Sequence, residues 1–376
     1  MQSAAMNKTI LLIGSYAPSL LNFRGSLIKE LISRGYRVVV TAPDIDQEIQ
    51  TALSNLGAET FEVPLGRTGL NPIADIKYMF SLHKLIKRYD PYFVLTYTIK
   101  PNIWGAFAAA LCDVRSAAMV TGLGFAFTDT TTFKKKLISR IANGLFRMST
   151  KCNQSVVFQN PDDRDDFIKA GCLGDAAKAR MVNGSGVDTN HYQLVPLPEE
   201  PVFLMVSRLL GNKGVREYCQ AAIVVKKTNP EARFLLVGYF DEGPDGVSQS
   251  ELDGWVSAGV EYLGPSDDVR NEISKASIYV LPSYREGTPR SVLEAMSMGR
   301  SIITSDAPGC RETTIEGKNG FLVAIKDVDA LAERMTWMIA HPSERQEMGE
   351  ASRKLAVEKY DVNQVNRTLL KHLRLS

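Results

Sequence analysis

The sequence predicts an α/β fold with two Rossmann-like domains, each a doubly wound parallel sheet covered by helices on both faces. Three observations predict it. Short apolar runs alternate with longer amphipathic segments through both halves of the chain. A stretch rich in Gly, Pro and Asn interrupts this alternation at residues 183–201. The 376 residues also exceed what one ordinary hydrophobic core contains.

In the first half, six apolar runs have the length and continuous hydrophobicity of buried parallel strands. These runs are residues 9–13, 37–41, 60–63, 93–96, 117–120 and 155–158. Helical patterns occupy the intervals at residues 23–33, 47–56, 72–88, 102–111, 134–148 and 161–170. The alternation predicts an N-terminal domain over residues 1–183, followed by a linker over 184–201.

The second half repeats the alternation and predicts a second domain over residues 202–358. Its strands are expected at residues 202–206, 232–237, 260–263, 278–281, 301–304 and 320–323. Its helices are expected at residues 215–227, 250–257, 268–275, 291–298 and 330–339, with a mostly helical tail from 343 to 375. We expect residues 359–376 to cross back to the N-terminal domain. Ligands of such sheets bind beyond the carboxyl ends of the strands, so a cleft between the domains is the expected site.

Composition limits the classes of partner. Hydrophobic residues make up 44% and charged residues 23%, as in a soluble globular protein. A net charge of +2 gives no overall field for nucleic acid. The five cysteines form no C-x-x-C pair or metal-binding pattern, which favours a reducing cytoplasm. The N-terminus has no signal-peptide pattern, and no run approaches the roughly 20 apolar residues that span a bilayer.

The segment from Leu281 to Gly299 is the most informative. A buried strand ends at Leu281, a loop contains Glu286 and Gly287, and a helix follows that contains Glu294. Thr288 is the expected N-cap and Pro289 the expected first helical residue. Free amides at the helix start, at Arg290 and Ser291, predict an anion site. The two carboxylates and this anion site suit a ligand with hydroxyls and phosphate, although both glutamates also fit an ordinary solvated surface.

A second constellation follows the strand at residues 202–206. Arg208 comes at the end of that strand, and Lys213 follows on a glycine-bounded loop before a helix. Two cations at the carboxyl end of a strand can neutralise a leaving diphosphate. The alternative is two ordinary surface cations.

These segments resemble the signature of the retaining GT-B glycosyltransferases of family 4, in which seven residues separate two glutamates. The resemblance covers most of residues 202–325 and, more weakly, the N-terminal half. It implies that Glu286 contacts the donor sugar, that Glu294 contacts the ribose, and that Arg208 and Lys213 hold the diphosphate. It also implies that backbone amides hold the sugar and diphosphate within the segment from Gly287 to Ser291, which comprises Gly287, Thr288, Pro289, Arg290 and Ser291.

Two further positions are assigned to the donor. Gly14 follows the first strand, where a glycine permits close approach to phosphate, and in the resembled family this glycine faces the donor. Leu263 and Gly264 leave a strand through a Gly-Pro turn, and the family implies that main chain here contacts the base, which suits uracil. The alternative for that turn is a plain connection with Ser266 as a helix N-cap.

The acceptor side is expected in the N-terminal half. Its candidate residues are Arg24, Lys100, Asn102, Thr121 and Gly122. Many members of the family have a histidine in the loop after the fifth strand, and here residues 120–127 contain none. A Gly-Leu-Gly in that loop and the Leu-Asn-Pro at residues 70–72 resemble the branch that builds bacterial surface glycans.

Asp44 and Asp46 form a D-x-D, which in another glycosyltransferase class holds a metal ion. Because a helix follows directly, we interpret one of the two as an N-cap. Cations and helix amides supply the positive charge at the predicted donor site, so we expect no metal and no cofactor.

A basic run from Phe133 to Arg147 shares one predicted helix with several apolar residues. Its cations are Lys134, Lys135, Lys136, Arg140 and Arg147. One interpretation is a core-packed helix with a solvated cationic face. The other is a helix that lies on an anionic membrane surface, where a lipid-linked acceptor resides. That second interpretation predicts a peripheral enzyme on the inner face of the cytoplasmic membrane.

The predicted function is transfer of a hexose or N-acetylhexosamine, with retention, from a nucleotide diphosphate sugar to an acceptor saccharide. The expected donor is UDP-linked, and the expected acceptor is a polyprenyl-diphosphate-linked glycan of a bacterial surface polysaccharide or glycoprotein. Two alternatives stay open: a GT-B-like nucleotide-sugar epimerase and a non-catalytic sugar-nucleotide-binding module.

Overall fold

A computed structural model describes residues 8–66, 71–123, 133–241, 243 and 245–375, with the backbone alone at 133–135 and 138. The chain divides into two units, which we call unit 1 (Met1–Ser185 with Val365–Ser376) and unit 2 (Gly186–Gln364). Each unit is built on a parallel sheet with helices, which confirms the predicted fold class.

The sheet of unit 1 has seven parallel strands in the order β3-β2-β1-β4-β5-β6-β7. The strands are β1 (Thr9–Ile13), β2 (Arg37–Ala42), β3 (Glu59–Glu62), β4 (Phe93–Tyr97), β5 (Ser116–Val120), β6 (Ser155–Phe158) and β7 (Ala179–Met181). Six of them follow the predicted apolar runs. The edge strand β7 was missed because its three half-buried residues form no apolar run.

In the part of unit 1 that the structure describes, seven α-helices connect or precede these strands. They are α1 (Pro18–Asn22), α2 (Gly25–Ser33), α3 (Gln47–Asn55), α4 (Pro72–Tyr89), α5 (Ala106–Ala110), α6 (Phe133–Cys152) and α7 (Pro161–Lys169). Two predictions need correction. The helix expected at 23–33 is α2, with α1 before it, and the helix expected at 102–111 begins as a π-helical turn, Pro101–Gly105, that runs into α5.

Unit 2 has six parallel strands in the order β10-β9-β8-β11-β12-β13. They are β8 (Val202–Val206), β9 (Arg233–Val237), β10 (Glu261–Tyr262), β11 (Ile278–Leu281), β12 (Ser301–Ser305) and β13 (Gly320–Val323). The helices that follow β8 along the chain are α8 (Val215–Lys226), α9 (Gln249–Ser257), α10 (Arg270–Ser274), α11 (Arg290–Ser297), α12 (Val328–Ala340), α13 (Pro342–Lys359) and α14 (Val362–Leu373). The predicted helical tail is thus α13 and α14.

The apolar side of α14 packs on unit 1. Val365, Leu369, Leu370 and Leu373 join the cluster that contains the inward residues of β1. The predicted N-terminal domain ends at residue 183, and in the structure unit 1 changes to unit 2 at 185–186. The return to unit 1, predicted for residues 359–376, falls inside α14, at Val365.

A fully buried arginine fixes the loop that precedes β8. The guanidinium of Arg300 has no carboxylate partner and donates to six carbonyl oxygens, those of Val195, Pro196, Ile273, Ser274, Ala276 and Met298. Burial lowers its pKa to about 10. These bonds connect Val195 and Pro196, through Arg300, to the segments around α10 and α11. They therefore also restrain the nearby residue Tyr192, which contacts Glu294 as described below.

Candidate active site

The carboxyl edge of the unit 2 sheet gathers most of the charged residues that the sequence singled out. Arg208 follows β8, whose last residue Val206 accepts a hydrogen bond from the Tyr279 hydroxyl at 3.0 Å. The Arg208 guanidinium donates to an Asp241 carboxylate oxygen at 2.9 Å, and 45% of its side chain is exposed. Arg208 is therefore an oriented yet accessible cation at the edge where ligands of such sheets bind.

Lys213 ends a short 3₁₀ turn, Gly211–Lys213, between β8 and α8. Gly214 follows with a φ of +75°, and a Cβ there would collide with the Pro282 carbonyl, so only glycine suits this turn. The Lys213 ammonium lies 2.5 Å from a Glu286 carboxylate oxygen, and both side chains are largely buried. The structure thus joins the predicted diphosphate cation to the predicted sugar-binding carboxylate.

Three segments hold Glu286. The Ser283 hydroxyl donates to the same carboxylate oxygen at 2.8 Å, and the Glu286 amide donates to the Pro308 carbonyl at 2.9 Å. The loop after β12 approaches so closely that a Cβ on Gly309 would overlap the carbonyls of Glu286 and Gly287. The carboxylate is therefore fixed before any ligand arrives, as a site that positions substrate requires.

The N-cap of helix α11 lies one residue later than the predicted Thr288. Pro289 is the N-cap, with an extended backbone and no side-chain capping bond, and Arg290 is the first helical residue. The Thr288 hydroxyl instead donates to the Gly287 carbonyl at 2.8 Å. Proline has no N–H to donate, and the amides of Val292 and Leu293 donate to the Pro289 carbonyl, so the predicted anion site is limited to the amides of Arg290 and Ser291.

Glu294 is 8% exposed and lies on the buried side of α11. The Arg290 guanidinium donates to it at 2.8 Å, one helical turn away, and Tyr192 forms a hydrogen bond with it. Burial raises the pKa of the Glu294 carboxyl, against the opposing effects of Arg290 and of the Tyr192 bond. Burial, with the Glu294 charge next, also raises the pKa of Tyr192. Sequence reasoning missed Tyr192, since nothing in a linker composition marks a side chain that contacts a distant helix.

The predicted base contact lies at the end of β10. The Leu263 amide donates to the Leu236 carbonyl, and the Gly264 carbonyl accepts from Gly238, so part of this main chain already has partners. The Leu263 side chain is exposed, and exposed Phe240 packs edge-on against Tyr262, the residue before Leu263. Ser266 is not an N-cap, because α10 begins only at Arg270 after Val269, and its hydroxyl bonds to Glu272 instead. The base role of Leu263 and Gly264 stays a prediction.

In unit 1, Gly14 makes room for a protein side chain. A Cβ at this position would collide with the Tyr97 hydroxyl, which lies 3.0 Å from the Ser19 hydroxyl. Buried Arg24 stacks on the same tyrosine ring, with 4.9 Å between the guanidinium carbon and the ring centre. The need for glycine at 14 therefore has an internal cause, and the donor contact of Gly14 and the acceptor contact of Arg24 remain predictions.

Lys100 and Asn102 both have partners within unit 1. The Lys100 ammonium pairs with Asp75 at 2.8 Å, with both side chains mostly buried. The side-chain oxygen of Asn102 accepts a hydrogen bond from the Thr96 hydroxyl at 2.7 Å, and its side-chain NH₂ group donates to the Met119 backbone carbonyl at 2.8 Å. At 2% exposure, Asn102 connects β4 to β5, and its acceptor role stays a prediction alongside that structural one.

A hydroxyl group at the same edge was not predicted. Thr98 follows β4 with a φ of +73°, an outlier for a β-branched residue, and its hydroxyl donates to the Ser15 hydroxyl at 2.8 Å. Thr98 also lines a small pocket with the predicted acceptor residues Asn102, Thr121 and Gly122. Strained backbone often accompanies functional sites, but a sequence shows no φ angle, so only the structure reveals it.

The described part of the basic run forms one long helix. In α6, the side chains of Lys136, Arg140 and Arg147 line an open pocket together with Gly171, while the side chains of Lys134 and Lys135 lie outside the described residues. No helix among the described residues has both the length and the apolar character needed to cross a bilayer. Within the same described residues, no three His, Cys, Asp or Glu side chains form a group able to hold a metal ion.

Both halves of the chain match family models. Residues 9–160 match the Glycosyl transferase 4-like family, and residues 187–355 match the Glycosyl transferases group 1 family. The second match contains every charged residue of the unit 2 edge described above.

Relatives with assigned activities match over most of the chain. One is the N,N'-diacetylbacillosaminyl-diphospho-undecaprenol alpha-1,3-N-acetylgalactosaminyltransferase of Campylobacter jejuni, 29% identical over 94% of this chain and 95% of that protein. Another is the UDP-Gal:alpha-D-GlcNAc-diphosphoundecaprenol alpha-1,3-galactosyltransferase of Escherichia coli, 28% identical over 72% of each chain.

Solved structures share the fold. Anabaena HepE in complex with UDP superposes with a TM-score of 0.78 at 17% identity, over 97% of this chain and 99% of that one. The sucrose-phosphate synthase of Thermosynechococcus elongatus superposes with a TM-score of 0.79 at 18% identity, over 98% of both chains. Together with the two sheets, these neighbours confirm the predicted GT-B fold.

Proposed function

Since this chain is a GT-B glycosyltransferase of the Glycosyl transferases group 1 family, we propose that it moves a hexose or N-acetylhexosamine from a UDP-linked donor to a polyprenyl-diphosphate-linked saccharide, with retention. The observation that supports it best is the charged edge of unit 2. There, Lys213 with Glu286 and Arg290 with Glu294 put carboxylates for hydroxyls beside cations for phosphate.

The donor assignment rests on the chemistry of this edge. Glu286 accepts hydrogen bonds from sugar hydroxyls, and Glu294 accepts them from the ribose. Arg208, Lys213 and the first amides of α11 face the diphosphate, whose negative charge grows as the bond to the sugar breaks. The choice of UDP follows the E. coli relative, named for UDP-Gal, and the UDP complex of HepE. These groups supply positive charge without a metal, so we propose that none is required.

The proposed mechanism depends on whether Glu286 could act as a nucleophile. Glu286 is held by Lys213 and Ser283, an arrangement that suits a hydrogen-bond acceptor more than a group that attacks the sugar. We therefore assign the acceptor proton to the leaving diphosphate. The bond from the sugar C1 to the phosphate oxygen breaks, the acceptor oxygen bonds to C1 on the same face, and the released phosphate oxygen takes the proton.

The acceptor class follows from the two relatives, both named for saccharides on diphosphoundecaprenol. A lipid-linked acceptor stays in a membrane, so we propose that α6 rests on the inner face of the cytoplasmic membrane. Exposed Lys136 and Arg140 support contact with anionic headgroups. The test is flotation with anionic liposomes, comparing the parent with Lys134, Lys135 and Lys136 changed to Glu. Flotation should fall with salt, and equal flotation of the two proteins would remove this contact.

The activity test combines a panel of UDP-sugars with a short-chain polyprenyl-diphosphate saccharide, and mass spectrometry of the product. We expect one sugar to be added only when both substrates are present, and NMR of the anomeric proton to show the configuration of the donor. Inverted product would overturn the retaining mechanism. Donor isomerised or hydrolysed at full rate without acceptor would overturn transfer and favour the epimerase.

A further inference from the structure

Helices α4 and α6, on one face of the unit 1 sheet, both expose basic and large apolar side chains. Along the sheet, Leu11 pairs with Val94, and Val120 pairs with Phe158, which places these side chains on one face. Helix α4 packs on the first pair and α6 on the second. Both helices contact the π-helical turn Pro101–Gly105, which lies between them. The two helices therefore flank this turn and α5 in one layer, with α5 in contact with both.

Helix α4 exposes large apolar residues in a single stripe. Ile73, Ile76 and Phe80 follow helical spacing, and they are 70%, 45% and 52% exposed. The opposite side of the helix packs in the core through Tyr78 and Leu82, so the stripe points away from the sheet. Such a stripe in water is unfavourable, and a contiguous apolar surface of this kind marks a contact with a partner or a membrane.

Helix α6 repeats this arrangement. Leu137, Ile141 and Met148 are 49%, 47% and 59% exposed and lie on one side of the helix, while Ala142 and Phe146 face the core. The exposed cations Lys136, Arg140 and Arg147 occupy the adjacent side. Apolar and basic stripes side by side are the pattern of a helix that lies in a membrane interface.

The charges of α4 and α6 differ sharply from those of the whole chain. The two helices contain ten lysines and arginines, whereas the protein as a whole has 44 basic and 42 acidic residues. Their single acidic residue, Asp75, is buried in the pair with Lys100. An anionic surface is thus the complementary partner of this layer.

Both helices begin at the edge of the sheet where substrate binds. Because α4 runs from β3 to β4, and α6 from β5 to β6, each starts beyond the carboxyl end of a strand. Exposed Ile73, in the first turn of α4, and exposed Leu137, at the start of the second turn of α6, are therefore close to the edge that carries Thr98 and Lys100. A membrane along these two helices would meet the protein beside the predicted acceptor residues.

We propose that α4 and α6 together form a docking surface for an anionic bilayer, with α4 inserting Ile73, Ile76 and Phe80 among the lipid chains. The proposal rests on the proposed function only in its choice of a membrane-bound acceptor. It adds a hydrophobic element, α4, that acts beside the cations of α6. Charge alone binds weakly and reversibly, and two amphipathic helices increase the buried apolar area.

The test is liposome flotation of the full chain with a double variant, Ile76→Glu with Phe80→Glu. Both side chains are exposed, so the variant is expected to fold, and circular dichroism with a melting curve checks this. The matched control is Val256→Glu on α9, whose side chain is 45% exposed in unit 2. On vesicles of phosphatidylglycerol and phosphatidylethanolamine, we expect roughly tenfold weaker binding of the double variant and unchanged binding of the control.

Two further measurements make the outcome decisive. With a water-soluble short-chain acceptor, the double variant should keep the parent rate, so loss of docking is separated from loss of the proposed activity. Flotation of the double variant equal to the parent would overturn the docking role of α4. Sedimentation without lipid showing a parent dimer that the double variant abolishes would also overturn it, because the stripe would then be covered by a second copy.

Discussion

The two carboxyl edges of this protein present different chemistry. In unit 2, the edge is built from ion pairs, Arg208 with Asp241, Lys213 with Glu286 and Arg290 with Glu294. In unit 1, Thr98 and Thr121 line a small pocket with Asn102, and the Lys100–Asp75 pair is mostly buried. The same topology therefore carries two kinds of site.

The difference matches the two substrates of a glycosyltransferase. A nucleotide donor brings a diphosphate, so its site needs cations, and those cations need carboxylates nearby to remain oriented when no donor is bound. A saccharide acceptor is neutral where it reacts, so neutral hydrogen-bonding groups suffice. We therefore expect mutations at the unit 2 edge to lower activity more than mutations at the unit 1 edge.

The largest effect is expected from the diphosphate cations. Arg208→Ala and Lys213→Ala should each lower turnover by on the order of 10²–10³, because each removes a preorganised charge from the leaving group. Stopped assays with the UDP-sugar measure this, beside a melting curve. The matched control for Arg208→Ala is Arg233→Ala. The Arg233 side chain is 45% exposed, as that of Arg208 is, and it pairs with a carboxylate, Glu261, but it begins β9 at the opposite edge of the sheet. If Arg208→Ala and Arg233→Ala lost equal activity, the edge would have no special role.

A smaller effect is expected from Glu294. Glu294→Gln should weaken nucleoside diphosphate binding by about 1.5–3 kcal/mol, because the ribose hydroxyls lose a charged acceptor. Calorimetric titration of UDP measures this, with Glu261→Gln as the control carboxylate outside the site. Unchanged affinity in a folded Glu294→Gln protein would exclude the ribose role.

The raised pKa of Glu294 adds a pH dependence to that prediction. In the proposed role, the ionised carboxylate accepts the hydrogen bonds of the ribose hydroxyls, so protonation would remove them as the pH falls. Because burial raises the pKa, affinity for UDP should decline at a higher pH than an ordinary glutamate would cause. In Glu294→Gln this part of the pH profile should disappear, and a profile identical to that of the parent would assign the titration to another group.

The comparison also shows which features a sequence can predict. Apolar runs predicted twelve of the thirteen strands in the described residues, because a buried parallel strand requires continuous hydrophobicity. The residues of the unit 2 edge were found because a glycine, a proline and charged residues follow those runs directly. Strand β7 was missed because it forms its backbone hydrogen bonds with β6 at the edge of the sheet, where an apolar run is not needed.

Contacts between distant segments were out of reach. The capping prediction at Thr288 failed by one residue, since the backbone is still extended at Pro289 and helical only from Arg290. The partners of Gly14 and Asn102, respectively Tyr97 and the pair Thr96 and Met119, depend on how strands align. Tyr192 reaches Glu294 across a hundred residues, and no local pattern encodes such a bond.

In unit 1, a more modest effect is expected from Thr98. Thr98→Val retains the branched shape and loses the hydroxyl bond to Ser15, whereas Thr98→Gly also removes the strain of positive φ, which costs about 1–2 kcal/mol. We expect both variants to raise the KM for the acceptor several-fold, on the scale of about 1 kcal/mol for one hydrogen bond. Donor affinity should not change. Thr98→Gly should melt above Thr98→Val, and equal acceptor kinetics in parent and Thr98→Val would leave the hydroxyl without a role in binding.

The smallest effect is expected from the D-x-D of unit 1. Asp46 caps α3, accepting a hydrogen bond from the Ile49 amide at 2.8 Å, so its side chain already has a structural purpose. Asp46→Ala should lower the free energy of unfolding by about 1 kcal/mol, as loss of an N-cap does, and leave turnover unchanged. Asp46→Ser, which can still cap, should recover most of the stability. If Asp46→Ala instead abolished turnover in a folded protein, and EDTA abolished it in the parent, a metal held by Asp44 and Asp46 would replace the cations of unit 2 as the partner of the diphosphate.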